Sequence, residues 1–345
     1  MILEQLDRAG FDAVCPTPEQ TELGAVPTRR AAAKCAELFR RNAERIHGII
    51  VILPNFGDER SVAETIRLAN LDVPVLVQAC PDEPEKMRPA ERRDAFCGKI
   101  SVCSNLKQYG IPFSLTDSHT VALKSERFRA ELDRFDAVCR VVGGLKRARI
   151  GAIGTRPAAF NTVRYSEKIL ESHGITVEPI DLSDILAAAR ALPDDDPAVA
   201  EKASALRNYC ATGGVGDEPI NRMARLGVAI ASFIEEHDLD ACAIQCWTSI
   251  QQNYGVAPCA VMSMLSDSLT PAACEVDVCG ALSMYALQLA SASPSAILDW
   301  NNNYGDAPDK CVCFHCSNIP AQLLERPRMG VHEILAGAVG RENAY

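Results

Sequence analysis

Tryptophan, long apolar runs and excess positive charge are all scarce in this 345-residue sequence. It contains 2 tryptophans, aromatic residues make up 6% of the chain, and the formal net charge is −10 at pH 7. No apolar run approaches the roughly 20 residues that cross a bilayer. Without a basic stripe to release counterions, we expect no binding to nucleic acid or to a membrane. Hydrophobic residues make up 48% of the chain, which at this length predicts two domains with substantial cores.

Cysteine, in contrast, is abundant. The 15 cysteines, together with a start that lacks the pattern of a signal segment, predict a cytoplasmic protein whose thiols are reduced and act as small buried hydrophobes. The densest group, Cys311, Cys313 and Cys316 around His315, could be a zinc or iron–sulfur site. In an alternating strand, however, Cys316 would turn to the opposite face. Buried strand cysteines are the favoured interpretation, and a thiolate metal or redox site remains the alternative.

Apolar strand-like runs alternate with amphipathic helical segments along most of the chain. Because both faces of such strands must be covered, this order predicts an α/β fold of two doubly wound domains with mostly parallel sheets. The glycine pair Gly143-Gly144 follows a helical segment and indicates a boundary. We therefore expect an N-terminal domain at 1–145, a second α/β domain at 146–330, and the start of a further domain at 331–345.

Three side chains of the types that commonly ligate metals fall late in the sequence. Glu275 precedes an apolar helical run, Asp299 ends SAILDW, and His315 lies near the end of KCVCFHC. The latter two runs are predicted as buried strands, and strand ends at a sheet edge are where open α/β folds bind ligands. Two carboxylates and one imidazole suit a divalent ion such as Mn²⁺. The spacings of 24 and 16 residues match no compact metal motif, so capping or surface roles remain the alternative.

A polar and aromatic pair ends the apolar run DACAIQCW. Gln245 and Trp247 would then lie at the carboxyl end of a buried strand. Such a ring often forms the wall of a carbohydrate pocket by covering the C–H face of the sugar. The alternative is a core tryptophan beside an incidental glutamine. Earlier in the chain, Gly151 and Gly154 are weak evidence for an anion-binding turn, and a tight βα turn is favoured there.

Long segments of the sequence resemble the L-fucose isomerase and L-arabinose isomerase superfamily, specifically its shorter fucose-isomerase-like members. The segments that carry this resemblance are ACEVDVCGALSMYAL, ILDWNNNYGD, CVCFHCSN, CGKISVCSNLKQYGIPFSLT, GAIGTRPAAFNTVRYSEKILE and QCWTSIQQNYGVAPC. In that superfamily a Glu and an Asp or Glu from the matching segments bind a catalytic manganese ion. The resemblance therefore implies Glu275 and Asp299 as both metal ligands and catalytic carboxylates. His315 is similar to a histidine ligand on the arabinose isomerase side.

The resemblance also implies an activity and an assembly. The expected reaction is metal-assisted proton transfer that interconverts an aldose and a ketose, with Gln245, Trp247 and Asn301 as contacts to the monosaccharide. Members of the superfamily are homo-oligomers, so a trimer or hexamer is expected. Their chains continue into a β-rich C-terminal domain that supplies a further histidine, so we expect this chain to be truncated at its C-terminus and at its N-terminus. Two rivals stay open: a non-catalytic sugar-binding α/β protein and an inactive isomerase fragment.

Overall fold

The computed structural model describes residues 2–193, 195–315 and 318–345. It divides into two compact units, Met1–Gly143 and Gly144–Tyr345. In each unit, helices alternate with the strands of a parallel sheet, so the predicted α/β fold class is confirmed. Within the described ranges, none of the helices combines the length and apolar content that a membrane span needs.

The N-terminal unit contains one three-stranded parallel sheet in the order β1-β2-β3. Its strands are β1 (Ile49–Leu53), β2 (Val75–Ala79) and β3 (Ser114–Leu115), and its helices are α1 (Ile2–Arg8), α2 (Arg29–Arg41), α3 (Glu59–Ala69), α4 (Ala95–Gln108) and α5 (Glu126–Leu145). All residues of β2 are buried, as expected for the central strand of a sheet that is covered on both faces.

Local sequence accounts for where several of these elements begin and for one close approach. Thr28 and Asp58 cap α2 and α3, because their side-chain oxygens accept hydrogen bonds from otherwise unpaired N–H groups of the first turn. Gly98, in the first turn of α4, lies against the main chain of Phe56, where a Cβ atom would be 2.0 Å from the carbonyl oxygen. Only glycine permits that approach of helix to loop.

The C-terminal unit contains a four-stranded parallel sheet in the order β5-β4-β6-β7. Its strands are β4 (Arg149–Ile153), β5 (Thr176–Ile180), β6 (Ala241–Ile244) and β7 (Ala272–Cys274). Its helices are α6 (Glu167–Glu171), α7 (Leu182–Ala191), α8 (Pro197–Tyr209), α9 (Asp217–Glu236), α10 (Ser249–Tyr254), α11 (Cys259–Asp267), α12 (Val278–Ser291) and α13 (Glu333–Val339). The chain runs from β4 outward to β5 on one side and later returns to β6 on the other. The carboxyl ends of β4 and β6 therefore flank a topological switch point, where open α/β sheets bind their ligands.

A separate antiparallel hairpin, β8 (Asp299–Tyr304) and β9 (Ala307–Phe314), corrects two expectations about burial. The predicted buried strand that ends at Asp299 is wrong, because the strand begins there and its residues are exposed. The strand predicted in KCVCFHC is present as part of β9, but its predicted burial is wrong, since Cys311 and Cys313 are exposed. The hairpin belongs to neither parallel sheet, so a second layer need not cover it. Cys316 lies outside the described residues.

We expect the stability of the C-terminal unit to fall in alkali through Tyr285. Its hydroxyl donates a hydrogen bond to Asp240 Oδ1 at 3.0 Å, and burial, assisted by this carboxylate, raises the pKa of Tyr285 to about 12. An unfolded tyrosine has a pKa of about 10. Between pH 10 and pH 12 the folded chain binds more protons than the unfolded chain, so the free energy of unfolding decreases as the pH rises.

Tyr285→Phe tests this prediction, because it removes the titrating phenol. Relative to the wild type, the variant is expected to lose about 1.4 kcal/mol less unfolding free energy between pH 9 and pH 11. Urea unfolding followed by tryptophan fluorescence measures the difference. Tyr304→Phe, on the exposed hairpin, is the matched control. Equal alkaline losses in the wild type and in Tyr285→Phe would contradict the assignment.

Candidate functional site

Three segments singled out in the sequence meet at one edge of the C-terminal sheet. Gly154–Arg156 follows β4, Gln245–Trp247 follows β6, and Glu275 follows β7. These strands are parallel neighbours, so their carboxyl ends share an edge. That edge includes the switch point between β4 and β6, and the chain thus gathers its polar and aromatic candidates where the topology favours a ligand.

Gln245 ties the loops after β4 and β6 together. Its Oε1 accepts a hydrogen bond from Thr155 N at 2.9 Å, and its Nε2 donates one to the Trp247 carbonyl oxygen at 3.3 Å. Gly154, at φ +84°, lies so close that a Cβ atom would be 2.4 Å from Gln245 Oε1. The structure therefore gives Gln245 a positioning role, and contact with a sugar stays a prediction.

Trp247 lies half-buried between two other rings. Its indole makes edge contacts with Phe160, at 6.4 Å between ring centroids, and with His332, at 6.3 Å. The side chain also hydrogen-bonds to the carboxylate of Glu275, an interaction that lowers the pKa of that carboxyl. An aromatic ring beside a carboxylate at a sheet edge is suited to binding a sugar, with C–H groups on the ring and hydroxyls on the oxygens.

Glu275 lies on an unusual stretch of backbone. Glu275 has φ +63° and Val276 has φ +53°, so two successive residues with side chains adopt the left-handed region. Each such residue costs about 1 to 3 kcal/mol, and strain of this kind clusters at active sites and ligand clamps. The next residue, Asp277, is the N-cap of α12, and its Oδ1 accepts a hydrogen bond from Gly280 N at 2.7 Å. In this compact turn Asp277 is a helix cap.

The surroundings of Glu275 favour its protonated form. Burial is the largest cause of a raised pKa at Glu275, followed by repulsion from Asp299 and then from Asp277. The hydrogen bond from Trp247 opposes these effects without overcoming them. A carboxyl with a raised pKa in a cleft is a candidate general base, because proton transfer is most efficient when the pKa approaches the working pH.

His315 and Asp299 enter the site from the two ends of the exposed hairpin. Asp299 is exposed and pairs with Phe314, directly before His315. His315 is only 8% exposed, and its Nε2 lies 3.0 Å from Cys274 Sγ. Burial lowers the pKa of His315, the positive charge of a protonated His332 would lower it further, and Asp299 opposes both. Glu275, Asp299 and His315 are thus within electrostatic reach, while Asn301 is exposed at an irregularity in β8.

The structure adds His332, which the sequence analysis did not assign. His332 precedes α13, and its Nδ1 accepts a hydrogen bond from Leu335 N at 3.3 Å. Burial lowers the pKa of His332. The segment GVHEILAGAV shows the start of an apolar helical run, but histidine is not among the preferred capping residues. Its contact with Trp247, 85 residues earlier in the chain, has no signal in the sequence.

The carboxylate oxygens and imidazole nitrogens at this site are of the types that bind a divalent cation. They are not arranged around one common position. A cation between Glu275 and Asp299 would relieve the repulsion that raises the pKa of Glu275. In the parts of the chain that the structure describes, no group of three or more His, Cys, Asp or Glu side chains is arranged to hold a metal ion. Binding through His315 Nε2 would also displace its contact with Cys274. The predicted ligands would therefore have to move toward one another.

Comparison with known proteins finds similarity to sugar isomerases. Residues 1–146 match the family described as fucose/sulfoquinovose isomerase, N-terminal domain. The chain is 25% identical over 240 residues to the sulfoquinovose isomerase of Priestia aryabhattai, covering 69% of this chain and 52% of that protein. It is 29% identical over 192 residues to the sulfoquinovose isomerase of Alkalicoccus urumqiensis, covering 53% and 42%.

The chain spans about half the length of the relatives it matches. The family match covers the N-terminal unit, whereas the 240-residue similarity must extend into the C-terminal unit, because it is longer than the N-terminal unit. Both observations agree with the resemblance carried by the sequence segments. These matches confirm the predicted resemblance to fucose-isomerase-like proteins.

Proposed function

We propose that this chain is an aldose–ketose isomerase that moves a proton between C1 and C2 of a monosaccharide. The single observation that carries the proposal is the state of Glu275, a half-buried carboxyl whose pKa is raised beside Asp299 at the carboxyl edge of the sheet. Similarity to sulfoquinovose isomerases supports the same reaction class. A sugar-binding protein without catalysis would not need a proton acceptor in this position.

Glu275 is the candidate base because, of the two predicted carboxylates, it is the more buried. Its carboxylate would remove the proton from C2 of the aldose, the electron pair of the broken C–H bond would form the C1–C2 double bond, and O1 would gain negative charge. The Glu275 carboxyl, whose proton exchanges with solvent, would then give a proton to C1 and complete the ketose, while a hydroxyl proton moves from O2 to O1. Asp299 is the candidate for that hydroxyl transfer. Trp247 would orient Glu275 through its hydrogen bond and cover the sugar's C–H face.

The cofactor and assembly belong to the same proposal. Glu275, Asp299 and His315 would hold a divalent cation such as Mn²⁺, which would supply electrostatic stabilisation to the charged sugar oxygens. Two carboxylates and one imidazole suit such an ion, whereas a zinc site of the thiolate type would need cysteine ligands. Assembly into a trimer or hexamer remains a prediction from the resemblance, and a cytoplasmic location remains a prediction from the cysteine content.

A sulfonated hexose is the first substrate to test. The relatives are named for sulfoquinovose, and the loop after β4 carries Arg156, whose Nη1 donates a hydrogen bond to the carbonyl of Pro157 at 2.9 Å. A guanidinium in this loop could bind a sulfonate in the same planar geometry that it uses for carboxylates. L-Fucose and L-arabinose are the neutral alternatives.

Solvent-proton exchange tests the proposed function. The protein is incubated in D₂O with Mn²⁺ and, separately, with sulfoquinovose, L-fucose or L-arabinose, and products are followed by NMR. We expect ketose to form from one of these sugars with deuterium at the carbon that gains the proton. Saturable binding of a sugar without ketose or deuterium incorporation would contradict the proposal and favour the sugar-binding protein.

A further inference from the structure

His332 is held in one ring orientation by the backbone of α13. Its Nδ1 accepts a hydrogen bond from Leu335 N at 3.3 Å, and its own backbone N–H donates to the Ala344 carbonyl at 2.7 Å. A backbone N–H can only donate, so Nδ1 carries no proton. In a neutral imidazole the proton then lies on Nε2.

The ring of His332 lies close to other groups of the candidate site. The ring packs edge-on against Trp247, with 6.3 Å between centroids, and Trp247 in turn hydrogen-bonds to Glu275. His332 is also close enough to His315 for the two rings to interact electrostatically. Nε2 is the ring nitrogen farther from the backbone, so its N–H lies on the side away from the turn that Nδ1 caps.

The chemistry of this nitrogen differs from that of a metal ligand. A metal needs an unprotonated ring nitrogen, whereas the cap leaves Nε2 as a donor. The two carboxylates of the candidate site, Glu275 and Asp299, offer acceptor oxygens when ionised. A sugar oxygen entering between them and Trp247 would need a donor, and His332 supplies one whose orientation is already fixed, which lowers the entropy cost of binding.

We infer that His332 is a substrate-binding residue whose Nε2–H donates a hydrogen bond to an oxygen of the monosaccharide. This inference rests on the proposed function for the identity of its ligand. The role is binding rather than proton transfer, so its loss should raise the KM or Kd for sugar and leave kcat nearly unchanged.

The first test reads the tautomer directly. Selective ¹⁵N labelling of the 6 histidines, with His332→Phe to assign the signals, should show a protonated Nε2 and an unprotonated Nδ1 at His332. Addition of sulfoquinovose, L-fucose or L-arabinose should shift the Nε2 resonance as a saturable function of sugar concentration. A proton on Nδ1, or an unchanged Nε2 resonance when the sugar has saturated the protein, would overturn the inference.

Two substitutions separate the donor from the other roles of this ring. His332→Asn preserves a capping side chain but not the ring, whereas His332→Phe preserves a ring against Trp247 but neither cap nor donor. Loss of one hydrogen bond should weaken sugar binding by about three- to tenfold in both variants. If the Asn variant binds sugar normally, His332 acts only as a helix cap. If the Phe variant binds sugar normally, His332 acts only by packing against Trp247.

A matched control and the wild type complete the experiment. His173→Asn replaces an exposed histidine in the turn before β5, at the amino edge of the sheet and therefore opposite the candidate site, and should bind sugar as the wild type does. If the wild type binds none of the three sugars, the proposed function fails, and the binding role of His332 fails with it. If the wild type binds and both His332 variants bind equally well, only the inference about His332 is overturned.

Discussion

Glu275→Gln is expected to reduce the rate of sugar proton exchange by about 10²- to 10⁴-fold, the usual contribution of a positioned general base. Glutamine keeps the length of the side chain and an oxygen that can accept from the indole of Trp247, but it cannot take a proton from carbon. The effect should appear mainly in kcat, because the proton is transferred only in the chemical step. Deuterium incorporation from D₂O, measured by NMR with saturating sugar, gives the rate.

Asp277→Asn is the matched control for this change. It also removes one carboxylate charge from the same segment, but asparagine caps a helix as well as aspartate does, so the hydrogen bond from Gly280 N can persist. We expect its exchange rate to stay within about threefold of the wild type, because loss of one neighbouring charge alters the pKa of Glu275 only partly. Equal exchange rates in Glu275→Gln and the wild type would exclude Glu275 as the base.

Gly98→Ala and Gly143→Ala should change the stability of the N-terminal unit in opposite directions. Both glycines are helical, in α4 and α5. At Gly98 a new Cβ would meet the Phe56 carbonyl oxygen at 2.0 Å and its carbon at 2.7 Å. Main-chain atoms cannot step aside as a flexible side chain can, so we expect a loss of at least about 2 kcal/mol of unfolding free energy. At Gly143 a Cβ would meet no described atom within 4 Å, and alanine should add about 0.5 to 1 kcal/mol.

Hydrogen exchange with mass spectrometry is the suitable measurement for this pair. Both tryptophans, Trp247 and Trp300, lie in the C-terminal unit, so fluorescence would not report on the N-terminal one. Peptides from β1 and β2 should exchange faster in Gly98→Ala and slower in Gly143→Ala, whereas peptides from β4 and β6 serve as the internal reference. Unchanged protection of β1 in Gly98→Ala would show that the loop at Phe56 yields without cost.

Sequence patterns were sufficient where burial on both faces determines the residues. The continuous apolar runs that became β1, β2, β4 and β6 carry their own signal, and the parallel arrangement follows from covering both faces. The hairpin β8–β9 was misjudged because a short apolar run reads alike whether or not a second layer covers it.

Three features of the site depend on contacts that no local pattern encodes. The left-handed backbone at Glu275 and Val276 was hidden, because alternating valines and acids in EVDV favour an extended segment. The hydrogen bond between Gln245 and Thr155 of the loop after β4 joins residues that are 90 positions apart. The approach of His332 to Trp247 depends on how the last helix packs. Residue types alone predicted a set of candidate side chains but not the contacts that hold them.

The hairpin β8–β9 carries two residues of the candidate site at its base. Asp299 begins β8 and His315 follows β9, and the two strands are paired along their length with two irregularities. Both residues therefore lie at the base of one hairpin, while Glu275 follows a strand of the buried sheet. The turn near Gly305 is the end of the hairpin farthest from Asp299 and His315. A contact made at this turn would shift the paired strands. It would move the Asp299 carboxylate and the His315 imidazole together and would change their distances from Glu275. The distances from Glu275 to Asp299 and to His315 therefore depend on the position of the base of the hairpin.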